Sequence, residues 1–288
     1  MKLEFKKDAL LNGINIVSKA IPSRTTMSIL ECILIDADAS EIKLTGNDME
    51  LGIETKVEGS ILERGKIALE AKLFYEIIRK LPDGETPVVI TSDNRFNTII
   101  ECENAVFNIQ GRDGEEFSYL PYIERDQHIS LTQFTLKEAI RQTIFSISPN
   151  DSNKMMAGEL LEVKDDFLKV VSLDGHRISI RNIQLKEHYD NHKVIVPGKT
   201  LSEISKILTG DNEKEVLIYF SKNHILFEFD DTVVVSRLID GEYFKIDHML
   251  SSDYETRVKL NKRDFMDNID RAMILIRDSD RKPIIMNV

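Results

Sequence analysis

Residues Val194-Ile-Val-Pro-Gly-Lys-Thr-Leu-Ser-Glu-Ile-Ser-Lys-Ile-Leu208 read as an apolar strand, a Pro-Gly break and a helix. Leu201, Ile204 and Leu208 fall on one face of that helix. A degenerate copy runs from Ile67 to Leu81, with Phe74, Ile77 and Leu81 on the matching face. A shift of 127 residues superposes Lys72 on Lys199, Phe74 on Leu201, Glu76 on Glu203, Ile77 on Ile204 and Arg79 on Lys206. A strand–helix unit written twice at long range marks an internally repeated chain, and the repeat decides the fold.

Working outward, further helices are predicted over Lys7–Ala20 (Leu10, Ile14, Val17), from Leu136 (Ile140, Ile144, Ile147) and in the stretch with Phe265, Ile269, Ala272 and Ile276. The five helices sit near residues 10, 74, 140, 201 and 265, at intervals of 64, 66, 61 and 64. Each is followed by short alternating runs that read as strands, among them 31–36, 42–46, 51–57, 160–163, 167–172 and 177–183, with a third start at 257–260. The unit is one helix plus a small antiparallel sheet, used twice per domain. The expected class is α+β in tandem domains, with boundaries at 1–121, 122–252 and 253–288. Gly111–Pro121 and Asp240–Ser252 are the linker candidates.

The chain has 288 residues, 42% hydrophobic and 30% charged, an ordinary globular composition. No apolar run reaches the roughly 18 residues of a membrane span. The N-terminus has no apolar signal core. Cys32 and Cys102 both lie in apolar, strand-like sequence and read as reduced thiols of a cytoplasmic protein. The net charge of −11 taken alone argues against nucleic acid. Its distribution points the other way. The five predicted helices carry a net +6, which leaves −17 for everything else. In any single helix such lysines read as a solvated face; the same bias in all five fits a basic surface shared by the helices.

The motifs that suggest chemistry are incomplete. Pro197-Gly198-Lys199-Thr200 resembles the end of a phosphate loop, but a Walker loop needs Gly where Lys193 stands, and Pro197 removes an N–H. Asp174 and His176 have the types of an acid–base pair, with no nucleophile or second carboxylate patterned beside them. An Asp-Gly turn accounts for Asp174-Gly175. His188 and His192 have metal-pair spacing within a polar stretch that reads as a solvated loop. No catalytic residue, metal or cofactor is expected.

The repeat, the basic helices and several local signatures resemble the bacterial DNA polymerase III beta subunit family, the sliding clamps. Met1-Lys-Leu-Glu-Phe5 with the Leu10-Leu11 helix is similar to the family's start. Arg24-Thr-Thr-Met-Ser-Ile-Leu30 resembles its Arg-Pro-Thr-x-Pro-Ile-Leu segment, with the prolines replaced. Ser172-Leu-Asp-Gly-His-Arg177 resembles its Thr-Asp-Gly-His-Arg signature, and Val194–Lys199 and Leu238-Ile-Asp-Gly-Glu-Tyr243 resemble two more. The matches extend over essentially the whole chain. The resemblance implies the DNA-clamp fold, with helices lining a central channel and sheets outside. It implies a head-to-tail homodimer ring that encircles duplex DNA without sequence readout. Its expected partners are the polymerase III alpha subunit, the clamp-loader complex and other clamp-motif proteins, in a cytoplasmic, nucleoid-associated setting. The alternative is a repeat-built enzyme or ligand-binding protein using the Asp174–His176 region.

Carried over residue by residue, the resemblance assigns DNA contacts to Arg24, Arg79, Asn150, Lys154 and Lys199. Lys154 and Met155 replace an aromatic pair found there in some members. A partner-peptide groove would use Met156, Leu173, Gly175, His176, Arg177, Ile178, Phe244, His248 and Met249, with Phe244 where the family usually has Pro. Ordinary core packing is the alternative for each apolar residue of this set, more so for Met156 and Leu173 than for the others. The dimer interface would pair Phe107 and Ile109 with Ile274 and Leu275. Clamps complete a third domain, which by this chain's repeat length needs roughly 80 further residues. The sequence is therefore expected to be a fragment, and a chain ending at Val288 is not expected to close a ring.

Overall fold

A computed structural model of the chain describes residues 1–148, 153–250, 253, 255–274, 276 and 284–286. The chain forms two compact units, Met1–Tyr243 and Phe244–Val288. Both copies of the strand–helix unit take the expected form. Strand β6 (Lys66–Glu70) runs into helix α2 (Ala71–Lys80), and the end of strand β13 (Ile178–Pro197) runs into α4 (Gly198–Ile207). The helix limits agree under the same shift of 127 residues. Phe74, Ile77 and Leu81, and likewise Leu201, Ile204 and Leu208, are buried. Helices α1 (Lys7–Val17) and α3 (Gln133–Thr143) match under a shift of 126. Within each pair of repeats the helices pack together, α1 on α2 and α3 on α4.

The strands repeat as faithfully. A five-stranded antiparallel sheet is formed, in spatial order, by β5 (Gly59–Glu63), β1 (Lys2–Phe5), β7 (Val88–Ser92), β8 (Asn97–Cys102) and β9 (Ala105–Gln110). A nine-stranded sheet begins with β10 (Arg112–Asp113), β6, β2 (Cys32–Asp36), β3 (Ile42–Asn47) and β4 (Leu51–Val57). It continues through β16 (Thr232–Arg237), β15 (His224–Phe229), β14 (Glu215–Phe220) and β11 (His128–Thr132). The second half of this sheet is therefore the copy of the five-stranded one: β15 and β16 lie 127 residues after β8 and β9. The halves join where β4 pairs with β16, Thr55 opposite Thr232 and Leu51 opposite Ser236. Inside that junction the hydroxyls of Thr55 and Thr232 are 2.8 Å apart and buried.

Two layers of apolar side chains cover the nine-stranded sheet. On the helix side one core runs from Leu3, Val88 and Ile100 through Leu10, Ile14 and Phe74 to Ile33, Leu44 and, across the junction, Ile218 and Val234. On the other side the linker straps the sheet. Phe117 packs on Cys32, Leu34 and Ala68, and Ile123 packs with Tyr219, Leu226 and Val235. Both cysteines are buried and unpaired.

The second helix of each repeat pair ends on a side chain from the first. Lys7 Nζ donates to Leu81 O at 2.6 Å and Lys137 Nζ to Leu208 O at 2.7 Å, a cation on each helix C-terminus. Gln133, the repeat counterpart of Lys7, accepts from the Thr209 N–H and hydroxyl. Two of the cations counted on helices are thus capping groups, and the basic surface is smaller than the charge count suggests.

Several sequence expectations shift. Helix α3 starts at Gln133, three residues before Leu136, because the Thr132 hydroxyl caps it by accepting from the Thr135 N–H at 3.1 Å. The predicted strands 160–163 and 167–172 merge into β12 (Gly158–Leu173), with a bulge at Asp165, φ 54°. The polar stretch around His188 and His192 is not a loop. It lies within β13 and pairs with β12, His192 opposite Val163, and the His192 ring stacks on Phe220 at 4.6 Å. A long ladder overrides weak local propensity. The expected strand 257–260 does not form, since no other strand among the described residues of that unit offers a ladder. In the second unit, α5 (Lys262–Met273) is capped by Asn261, and Phe265 on its apolar stripe is 40% exposed.

The paired cores carry a prediction. Phe74→Ala and Leu201→Ala are expected to cost about 3–5 and 2–5 kcal/mol, as large-to-small changes at fully packed sites. Urea unfolding of each variant measures this; a loss below about 1 kcal/mol at either position would contradict the packing described.

Candidate nucleic-acid interface

Two of the candidate DNA residues, Arg79 and Lys199, lie on helices α2 and α4 of the first unit. Arg79 lies in the last turn of α2, half exposed, and its guanidinium donates to Glu76 at 2.6 Å. That bond holds the Glu76 carboxyl below the usual carboxylate range. The equivalent pair in α4 is Lys206 and Glu203, at 2.7 Å. In α3, Arg141 makes a two-pronged pair with Glu138, both contacts 2.7 Å. Exposed pairs of this kind contribute only about 0–1 kcal/mol, so a phosphate can replace the acid at little cost. Lys199, at the start of α4, pairs with Asp48 in the turn between β3 and β4. Arg24 is exposed in the loop after α1 and has no ion pair among the described residues. Lys154 is exposed in a short turn capped by Asn153. Asn150 lies outside the described residues.

One cleft was not singled out from the sequence. Asn12, Asn15 and Lys19 from α1 and the turn after it face Lys206 and Thr209 across the β4–β16 junction, in a space of about 410 Å³. It brings together helices of successive repeat pairs, α1 and α4. The signal available in the sequence was the repeat equivalence of Arg79 and Lys206.

The residues assigned to a partner groove divide between the two units. In the first, Leu173 is buried, as the packing expectation had it, and Met156 and Ile178 are half-buried. Gly175, His176 and Arg177 are exposed in a tight turn, with Gly175 at φ 84°. Asp174 is committed to that turn. It accepts from the His176 and Arg177 N–H groups, both 3.1 Å, and from Arg177 Nε at 2.8 Å. Burial opposes ionisation of Asp174, but these bonds outweigh it and hold the carboxyl below its ordinary range. The Arg177 guanidinium also lies 5.7 Å from the centre of the Phe145 ring. In the second unit Phe244 is half-buried and His248 and Met249 are exposed. Among the described residues there is no group of three or more His, Cys, Asp or Glu able to hold a metal ion.

Three of the residues assigned to the dimer interface, Phe107, Ile109 and Ile274, lie among the described residues. Strand β9 is the outer edge of the five-stranded sheet, with Phe107 exposed and Ile109 half-buried. Ile274, at the end of α5, is 78% exposed. Leu275 lies outside the described residues.

Repeated helix pairs lying on antiparallel sheet, with their cations on exposed faces, define the DNA-clamp class. Comparison with known proteins makes this specific. Residues 1–121 match the N-terminal domain of the DNA polymerase III beta subunit, and residues 130–245 match its central domain. The beta sliding clamp of Staphylococcus epidermidis is 35% identical over 292 residues, covering 99% of this chain and 77% of that protein. A putative DNA polymerase III beta subunit from Eubacterium rectale is 64% identical with a TM-score of 0.97, over 100% of this chain and 78% of that one. The DNA polymerase sliding clamp of Bacillus subtilis is 34% identical with a TM-score of 0.93, over 97% and 75%. The chain belongs to the DNA polymerase III beta subunit family, the sliding clamps of DNA replication. It is a non-catalytic processivity factor, and the reading as an enzyme using Asp174 and His176 is not favoured. No helix among the described residues is long and apolar enough to cross a membrane.

A buried carboxyl supports the end of α3. Glu159 at the start of β12 is fully buried; Thr143 Oγ1 donates to its Oε2 at 3.0 Å, and its Oε1 has no partner. Burial pushes this carboxyl up to about 8, with the Thr143 bond opposing. The folded chain therefore holds the proton more tightly than the unfolded one. Stability contributed here is complete below about 4.5 and is lost as the pH rises towards about 8. Glu159→Gln is expected to flatten this slope, so that the variant gains on the wild type by up to about 1.4 kcal/mol per pH unit in that window. Urea midpoints of both proteins at pH 5 and pH 8 check the prediction; parallel curves would overturn it.

Proposed function

We propose that duplex DNA runs along the α1–α4 side and is held there without sequence readout by Arg24, Arg79, Lys154 and Lys199. Asn150 joins them on the strength of the family resemblance. The observation that carries this reading is the placing of exposed cations on repeated helices, Arg79 and its counterpart Lys206 each in a last turn, with Lys19 lining the same junction cleft as Lys206. Weak, replaceable ion pairs suit a tether that must slide, since tight phosphate binding would arrest it. The domain division at 121 and 252 belongs to the same reading.

We infer head-to-tail pairing of two chains from the repeat itself. Strand β9 is the counterpart of β16, and β16 uses its outer edge to pair with β4. The outer edge of β9, with Phe107 and Ile109, is open to a β4-like edge of another copy. On that copy Ile274 and Leu275 are the apolar residues assigned to meet it. The exposed turn at Gly175, His176, Arg177 and Ile178, with Met156 and Leu173 beneath, is proposed to contribute to docking of short motifs. Their sources would be the polymerase III alpha subunit, the clamp-loader complex and other clamp-motif proteins. Phe244, His248 and Met249 are assigned to the same role. A cytoplasmic, nucleoid-associated location follows from this function.

Retention on nicked circular DNA against the same DNA linearised tests encirclement, in a protein with three such domains per chain. Retention on circles and loss from linear ends is expected; equal retention on both would mean ordinary surface binding. Arg24→Ala, Arg79→Ala and Lys199→Ala should each lower the slope of log affinity against log salt by about 1, evenly across DNA sequences. Phe107→Asp should shift sedimentation towards the monomer.

A further inference from the structure

The turn Asn47-Asp48-Met49-Glu50 is the repeat counterpart of the docking turn at 173–176. A shift of 126 residues lays the ladder pair Asn47–Gly52 on Leu173–Ile178. The same shift lays the bond from the Asp48 N–H to Leu51 O on the bond from the Asp174 N–H to Arg177 O. Each turn has one residue with left-handed backbone, Met49 at φ 73° and Gly175 at φ 84°. The chain after each sheet is duplicated as well, as Asp113-Gly-Glu-Glu-Phe117 and Asp240-Gly-Glu-Tyr-Phe244. In the first copy the turn and the strap lie together within one unit. With β15 and β16 they enclose a cleft of about 260 Å³, lined by Met49, Gly52, Tyr119, Pro121, His224 and Arg237 among others.

We propose that this cleft is a second docking groove, for a linear peptide that sets a large apolar side chain against Met49 and Tyr119 and a carboxylate on Arg237. The proposal rests on the partner-groove reading of the 173–178 turn. The apolar wall is ready-made. Met49 and Tyr119 are 55% and 53% exposed, and the Tyr119 hydroxyl accepts from Lys66 Nζ at 2.9 Å, which fixes the ring. Methionine adapts to varied apolar partners. The floor is the strap's own Leu120: a Cβ on Gly52 would lie 2.0 Å from its Cδ2, so a larger residue there would push the Leu120 side chain from its place on β4. The charge on the rim favours a carboxylate. Among the described residues the Arg237 guanidinium has its ion pair with Glu50, at 3.6 Å, with both side chains more than half exposed. An incoming carboxylate displaces so weak a pair easily, and His224 lines the cleft as well. A cleft of this size admits a side chain and a short extended backbone, not a folded domain.

The test is fluorescence anisotropy and binding stoichiometry for a fluorescein-labelled Gly-Gly-Phe-Leu-Asp-Asp peptide on the full chain. The expected result is two peptides per chain. Arg237→Glu should weaken one of them about tenfold and Arg177→Glu the other; Met49→Ala, a milder change, should affect the same site as Arg237→Glu. One peptide per chain, lost with Arg177→Glu and kept with Arg237→Glu, overturns the second groove and leaves the first. One peptide lost with Arg237→Glu alone overturns the reading of the 173–178 turn and sustains the proposal. No binding overturns both. A self-association that Arg237→Glu abolishes would mean that a second copy covers the cleft, and also overturns the peptide proposal.

Discussion

The pairing of β4 with β16 is the contact on which the rest of the first unit depends. Each helix-plus-sheet repeat ends in a strand with an unsatisfied edge, and a buried backbone edge without partners is costly. Here the edge of one repeat pair closes on the edge of the next, through a ladder from Thr55–Thr232 to Leu51–Ser236. The result is a nine-stranded sheet with a single helix-side core running through it. The linker reinforces the same join from outside, with Phe117 on one half of the sheet and Ile123 on the other. A chain built this way extends by adding copies, because every added copy offers a new edge.

The same geometry explains why a protein of net charge −11 can serve DNA. Helices α2, α3 and α4 each carry a cation with an acid three residues before it, as in Glu76–Arg79, Glu138–Arg141 and Glu203–Lys206. Those pairs hold the long side chains in defined positions without committing them. Lys7 and Lys137 show the other use of a helical lysine, as caps on the carbonyl ends of α2 and α4. Both uses look alike in a charge count, and only the partner atom separates them.

Repetition also explains how one turn can acquire different roles. Asp48 and Asp174 both organise a tight turn by accepting backbone N–H groups. Beyond that the copies diverge. Asp174 recruits Arg177 of its own turn, whereas Asp48 recruits Lys199 of the next repeat pair. The first turn thereby ties two repeat pairs together, while the second leaves His176 and Arg177 exposed.

By itself the sequence determined the repeat, the antiparallel helix-plus-sheet class and the helix faces that pack. It could do so because apolar periodicity is a local property, visible in Phe74, Ile77 and Leu81 and again in Leu201, Ile204 and Leu208. Local signatures such as Leu-Asp-Gly-His-Arg177 also brought the family into view. Other features were decided only by the tertiary structure. His188 and His192 joined a long strand because β12 supplied a ladder, and 257–260 stayed without one. The lysines divided into caps and surface cations according to which carbonyl or carboxylate lay within reach. The junction cleft and the strap over β4 exist because residues far apart in the chain meet there, Asn12 with Lys206 and Gly52 with Leu120, and no local window of the sequence contains both sides of such a contact.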